Sequence, residues 1–190
     1  MTRKDQFLNN VKEFATISEE FCYFLENANQ RSFKEFLSLA QKLTSLLYLK
    51  ASLLPDISNI NNEEIEKFVT EEAWTAIHDS VKKIMKNHNF YHLCDNPEND
   101  GQTLSIAEDM ADIYQDIKDF TELYKTGVYD MIYDGTAECR NNFRHYWGLK
   151  ALNALRAIHL ILVSSSNSIT GSIKDEFDNS SWIADDKADE

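Results

Sequence analysis

Apolar residues recur along most of this chain at the three- and four-residue spacing of amphipathic helices, with polar runs between them. Phe7, Val11, Phe14, Phe21 and Leu25 share one face of a helix over residues 5–26. Ser32, with Glu35 in capping-box position, opens a second helix carrying Phe36, Leu39, Leu43, Leu46, Leu47 and Leu53, which Pro55 ends. After the polar run DISNINNEE, Thr70 with Glu71 and Glu72 begins a third, bearing Trp74, Ile77, Val81, Ile84 and Met85. The stretch between Asn87 and Thr103, with Asn, Asp, Pro97 and Gly101, reads as the longest internal loop.

Ser105 and Glu108 form a second capping-box pattern at the head of a fourth helix. Met110, Ile113, Ile117, Phe120 and Tyr124 gather on one side of it, while Glu108, Asp112, Asp116 and Asp119 occupy an arc of about 80° opposite, which reads as the solvent face. Like charges at this spacing cost roughly 0.2–0.5 kcal/mol per pair, so the row asks for water, a cation, a metal or a partner. Gly127 breaks the chain, and after VYDMIY a long helix is expected from Asp134 to about Val163. Its early apolar residues are Cys139, Phe143, Tyr146 and Trp147, whereas Ala151, Leu155, Ile158 and Leu162 lie about 100° further round. That shift predicts either several packing neighbours or a kink near Gly148. With no strand-like alternation and no repeat period, the expected fold is all-α, a bundle of about five to six helices over residues 1–163, followed by a flexible acidic C-terminal tail over 164–190.

Composition narrows the functional classes. The 190 residues, 43% of them hydrophobic, suffice for one core. A formal net charge of -13 works against DNA and against anionic membranes. The start of the chain lacks a signal-peptide apolar core and no uninterrupted apolar run is long enough to span a bilayer, so a cytoplasmic protein is expected. Cys22, Cys94 and Cys139 are odd in number and widely spaced, the pattern of reduced thiols, and the N-S-S at Asn179 reads as chance. The last 17 residues carry seven acidic and two basic side chains, and among them Phe177, Trp182 and Ile183 are apolar anchors available for docking on this chain or another.

Several constellations bear on chemistry. Glu108, Asp112 and Asp116 stand about 6 Å apart in succession, hard oxygen donors for Mg²⁺ or Mn²⁺ if a second helix adds ligands. The pairs Asp109/Asp112 and Asp116/Asp119 resemble the acidic spacing of the MazG-type nucleotide pyrophosphatases, but their EE-x-x-E signature is missing around Glu63, Glu64 and Glu66 and around Glu71 and Glu72. Arg140 to His145, R-N-N-F-R-H, resembles the R-x4-H motif of the HEPN ribonucleases, including the polar Asn141. That resemblance implies Arg140 on a scissile phosphate and His145 as acid or base in a site shared by two subunits, although a continuous helix holds the two side chains about 140° apart. In the competing reading Arg140 and Arg144 answer carboxylates within the bundle, with Arg144 reaching Asp112 or Asp116. Arg156 and His159, three apart in an apolar run, are either satisfied structural groups or the edge of a small anion pocket. His88, His92, Cys94 and Asp95 are zinc-ligand types without a zinc spacing, and a loop anchored by Phe90 and Tyr91 is the simpler reading. His78, one turn beyond Trp74, reads as a partly buried helix residue. There is no glycine-rich phosphate loop and no nucleophile elbow.

The runs SIAEDMADIYQDIKDF, ECRNNFRHYWG and ALNALRAIH resemble an uncharacterised helical family common in Bacteroidetes, domain of unknown function 5063, over about residues 7–163. The resemblance implies one helical domain with the tail outside it and assigns no activity or ligand. The leading expectation is a non-enzymatic protein-binding or assembly domain without a cofactor, working with a protein partner or as a homo-oligomer, its contacts drawn from Asp112, Asp116, Asp119, Arg144, Arg156, His159 and Trp182. The alternative is a hydrolase of nucleotide or RNA phosphates, using Mg²⁺ or Mn²⁺ at Glu108, Asp112 and Asp116, or Arg140 with His145.

Overall fold

The structure, a computed structural model, describes residues 3–60, 65–94 and 101–170. Its helices are α1 (Arg3–Glu26), α2 (Phe33–Ser52), α3 (Glu71–Met85), α4 (Ile106–Lys125), α5 (Tyr129–Asn142) and α6 (Gly148–Thr170). Helix α4 is the hub and packs against α1, α3, α5 and α6, while α2 closes the far side against α1 and α6. The core forms where the apolar stripes meet: Phe14 of α1 lies 4.9 Å from Phe120 of α4, and Phe24 stacks on Phe36 at 5.1 Å, centroid to centroid.

The helix starts follow local chemistry. Ser32 accepts from the Glu35 amide, and the Glu35 carboxylate accepts from the Ser32 amide, completing the capping box. Replacing Ser32 with Ala is expected to cost about 1 kcal/mol in urea unfolding, and an unchanged midpoint would show that packing alone sets this helix start. Thr70 caps α3 through the Ala73 amide. At α4 only half the expected box forms: Ser105 Oγ accepts from the Glu108 amide, and the other neighbour is Asn89, which is buried. Its Nδ2 donates to Ser105 Oγ, its Oδ1 accepts from the Ala107 amide and its carbonyl accepts from the Ile106 amide.

Four expectations are corrected. The supposed loop after Asn87 contains an antiparallel pair, β1 (Phe90–Leu93) and β2 (Gln102–Ser105), in register Phe90 with Ser105 and Leu93 with Gln102. Strands of four residues each, with a single apolar position in β2, leave too little alternation to separate them from loop. Leu46 on α2 and Leu53 just beyond it are exposed, and Phe36, Leu47, Ala40 and Ala51 make the core contacts. Helix α5 begins at Tyr129, five residues before Asp134. Tyr146, expected on the apolar side, is exposed, whereas Trp147 is fully buried.

The last correction has a structural cause. Between α5 and α6 the chain makes one π-helical turn, Phe143–Trp147, in which the Gly148 amide donates to the Phe143 carbonyl, five residues back. Such a turn admits one extra residue and so rotates all that follows by about 100°. That is the angle by which the apolar stripe shifts along this segment. The rotation carries Trp147, Ala151, Ala154 and Ile158 into the core, and Trp147 Nε1 donates to the Cys139 carbonyl.

Candidate functional site

The acidic row of α4 does not face water as a unit, because α3, α6 and the connection from α2 to α3 cover most of it. Glu108 is exposed, Asp116 is half-buried, and Asp112 and Asp119 are buried, as is Asp109 beside them. Asp112 Oδ1 accepts from Trp74 Nε1 at 2.8 Å. Its Oδ2 accepts from the Tyr146 hydroxyl at 2.8 Å and from Lys150 Nζ at 2.9 Å. Asp109 accepts from the Tyr91 hydroxyl and lies 3.6 Å from Lys150. Asp116 accepts from Asn142 Nδ2 at 2.7 Å. Asp119 Oδ1 accepts the Phe68 and Val69 amides at 2.8 and 3.0 Å, with Lys67 at 3.8 Å. On α5, Asp134 accepts the Ile60 amide in the same way. Asp119 and Asp134 are pegs on which the long α2–α3 connection hangs, satisfying part-buried backbone donors.

The cations that answer the row are Lys150 and Lys67, not Arg144. Arg144 is exposed and lies 3.5 Å from Asp56, and Arg140 donates to the Leu54 carbonyl and to Asp56. His145 stands on the exposed side of the π turn. His159 Nδ1 is 3.1 Å from Gln41 Nε2, and Arg156 is exposed. His88 stacks on Phe33, His92 meets Thr103, and Cys94 is exposed, while Asp95 lies outside the described residues. His78 is partly buried and stacked on Trp74. Among the described residues no three His, Cys, Asp or Glu side chains converge as a metal-ligand set. Trp182, with Phe177 and Ile183, lies outside the described residues.

Lys150, Lys67, Trp74, Tyr91, Tyr146 and Asn142 complete the network; the sequence pointed to Trp74 and Tyr146 as apolar-face residues and to Tyr91 as a loop anchor, not as partners of the carboxylates, and to the other three not at all. Of the two lysines and Asn142, Lys150 left a trace: it flanks the Trp147–Ala151–Ala154–Ile158 stripe, about 70° from its centre on a helical wheel. Two spaces adjoin the network. One, of about 370 Å³, is open and lined by Val69, Thr70, Glu71, Trp74, Asp112 and Gln115. The other, of about 10 Å³, lies among Lys67, Asp116, Asp119, Glu138, Cys139 and Asn142 and has room for roughly one water.

Burial dominates the electrostatics. It pushes the Asp109 carboxyl up to about 6 against the pull of Tyr91 and Lys150, and pushes Asp116 up to about 6 against Asn142 and Lys67. Burial also disfavours charge on Lys150, yet its hydrogen bond to Asp112 holds it above the ordinary lysine range. The buried thiols stay protonated, Cys22 pushed up to about 12 and Cys139 also raised. A carboxyl whose folded value exceeds its unfolded one stabilises the fold below the unfolded value, and that contribution is lost as pH rises through the folded value. For Asp116, flanked by Lys67, Asp119, Glu138 and Asn142, the window runs from about 4 to about 6. Asp116→Asn, which retains an acceptor for Asn142, is therefore expected to gain stability relative to the natural chain between pH 4.5 and pH 7.5. Urea titrations at both values measure it, and a pH-independent difference would contradict the assignment.

The outer side of α6 has a different character. Inside, the helix buries Trp147, Ala151, Ala154, Ala157 and Ile158; outside, Leu149, Leu152, Leu160 and Val163 are 44–66% exposed, with Arg156 among them. Alanines inside let α2 and α4 approach closely, and the larger apolar groups are left on the surface. Their spacing of three and four residues forms one stripe opposite the core, of the kind a partner helix covers. No helix among the described residues is long and apolar enough to cross a membrane.

The model of a family described as domain of unknown function (DUF5063) matches residues 5–164. A crystal structure of protein BF1032 from Bacteroides fragilis is 39% identical, covering 80% of this chain and 91% of its own, with a TM-score of 0.73. No curated protein matches.

Proposed function

This chain belongs to the DUF5063 family, a domain of unknown function, and from that premise we propose that it is a protein-docking domain whose contact face is the outer side of α6. The observation that carries the reading is the stripe of Leu149, Leu152, Leu160 and Val163, all exposed on one helix face. Fully covering a leucine is worth about 1.5–3 kcal/mol, so four such groups supply the centre of an interface. Arg156 sits midway along the stripe and forms no ion pair among the described residues. An antiparallel second copy would set Arg156 against itself, whereas an amphipathic helix with a carboxylate amid its apolar residues meets both the stripe and the charge.

The α4 network serves this face indirectly. Asp112 holds Tyr146 and Lys150 at the head of α6 and so sets the rotation at which the stripe is presented. A buried pair of this kind orients elements even where its net stabilisation is small.

The test is cross-linking in cells, followed by mapping of the joined residues. Leu152→Glu combined with Leu160→Glu is expected to change stability by less than about 1 kcal/mol, since both side chains are exposed, and to remove cross-links on residues 149–163. A specific partner joined at another face, with recovery undiminished by the double change, would sink this reading.

A further inference from the structure

We infer that the open space beside the α4 network is a binding site for a small organic cation, one that bears an ammonium or guanidinium group. The inference stands apart from the docking reading, because the space is lined by α3, α4 and the two residues before α3, and uses none of the outer residues of α6.

Size and lining both suit such a ligand. The volume of about 370 Å³ falls within the range of small-molecule pockets, roughly 300–1,000 Å³. Val69 and Trp74 supply apolar wall, Glu71 and Asp112 supply carboxylates, Gln115 supplies an amide, and no Lys, Arg or His is among the lining residues. The side chains of Glu71 and Gln115 make no hydrogen bond or ion pair with another described residue, so both are free for a ligand. Asp112 takes three donors, and a carboxylate has about four acceptor positions, which leaves one. Lys150 already answers much of the Asp112 charge, so a bound cation is met chiefly by Glu71.

Trp74 selects an organic cation over a metal ion. His78, one turn towards the C-terminus, stacks on one face of the indole at 5.2 Å and 9°. Thr70 and Glu71, one turn towards the N-terminus, line the cavity, which leaves the second ring face to it. An ammonium or guanidinium over that face is attracted by the ring quadrupole, whereas Mg²⁺ keeps its water and gains little there. An anion is the wrong occupant: it meets Glu71 and Asp112, and the amino end of α3 is already answered by Glu71 and Glu72 in its first turn. The net charge of -13 draws cations towards the chain at long range.

Titration of the isotope-labelled full chain with agmatine, followed by its indole N–H resonances, tests the inference. The Trp74 resonance, assigned from its loss in Trp74→Phe, is expected to shift with half-saturation below about 1 mM, while that of buried Trp147 stays in place. Glu71→Gln is expected to weaken binding about threefold, and Gln115→Lys, which sets an ammonium among the lining groups, at least about tenfold. Both positions are exposed, and an unmoved Trp147 resonance reports that the core of either variant is intact. A Trp74 resonance that stays in place up to about 20 mM agmatine would overturn the inference. So would an equal shift with magnesium chloride at the same ionic strength, which would reduce the site to an acidic surface, or affinity unchanged in both variants. A parallel titration with Nα-acetylarginine methylamide separates the two sources of the group, and both outcomes support a cation site: tighter binding than agmatine assigns it to a basic side chain of a partner, weaker binding to a free amine.

Discussion

Alanine at position 148 is expected to destabilise the protein by about 2–4 kcal/mol, a large effect for one added methyl group. Gly148 has ordinary helical backbone angles, so the cost does not come from conformational freedom. It comes from space: a Cβ there would sit 2.3 Å from the Phe143 carbonyl oxygen, and 3.0 Å from two carbons of the Phe143 ring. The carbonyl cannot withdraw, because it accepts the Gly148 amide in the π turn. The ring is held as well, edge-on to Tyr48 at 5.0 Å and against Trp147 at 4.8 Å. Relief by reverting the π turn to an α turn would rotate α6 by about 100°, taking Trp147 out of the core and Lys150 away from Asp112. Gly127→Ala is the useful contrast. Its φ of +69° strains an L-residue, but its Cβ meets open space, so about 1–2 kcal/mol is expected. Urea unfolding of both variants decides the matter, and a Gly148→Ala cost below about 0.5 kcal/mol would mean that the turn reorganises freely.

Removing the Asp112 carboxylate is expected to cost about 2–4 kcal/mol, because three donors lose their acceptor together. Trp74 Nε1, the Tyr146 hydroxyl and Lys150 Nζ come from α3, the π turn and α6 and converge on two oxygens of α4. Asp112→Ala removes the acceptor of all three, of which the exposed Tyr146 can turn to water and Lys150 keeps Asp109 nearby, whereas Asp112→Asn keeps an acceptor for one and should cost roughly half as much. Lys150 is partly solvated, so water recovers some of its loss. A double-mutant cycle between Asp112→Ala and Lys150→Ala is expected to show a coupling of at least about 1 kcal/mol. Strict additivity would show that the ammonium and the carboxylate are neighbours without energetic consequence. Because the same network sets the rotation of α6, Asp112→Ala should also weaken partner cross-linking at the outer stripe, although Asp112 does not lie on it.

How legible was this protein? Most of the helices were, since they carry their own period and several a start signal, Ser32 with Glu35, Thr70 before Glu71, and the break at Gly127; the start of α5 at Tyr129 and its separation from α6 were not. The change of apolar face near Gly148 was visible too, as a shift of about 100° in the stripe, although a kink and a π turn leave the same mark in a list of residues. The partners of the carboxylates were not. Asp112 meets Trp74 and Tyr146 across 38 and 34 positions, and Asp119 meets the Phe68 and Val69 amides across 51 and 50. Period within one helix contains no information on such pairs. The arginines drew attention as the strongest forks for carboxylate, yet Arg140 at the end of α5 and Arg144 in the π turn both lie against Asp56.

What the sequence determined by itself was therefore local: the helical class, most helix boundaries, a core built from the three-and-four spacing of Phe, Leu and Ile, and membership of a helical family. Only the tertiary structure decided which polar faces are wet. The row on α4 was legible as a solvent face because its residues are charged, and it became an interior one because backbone amides, an indole, two phenols and two lysines arrive from elsewhere to hold it. The outer face of α6 went the other way. Its leucines belong by type to a core, but the rotation at the π turn gives the inward positions to alanines and tryptophan and leaves the leucines outside. Burial follows from how helices meet, and that geometry is set by contacts dozens of residues apart, which no local pattern encodes.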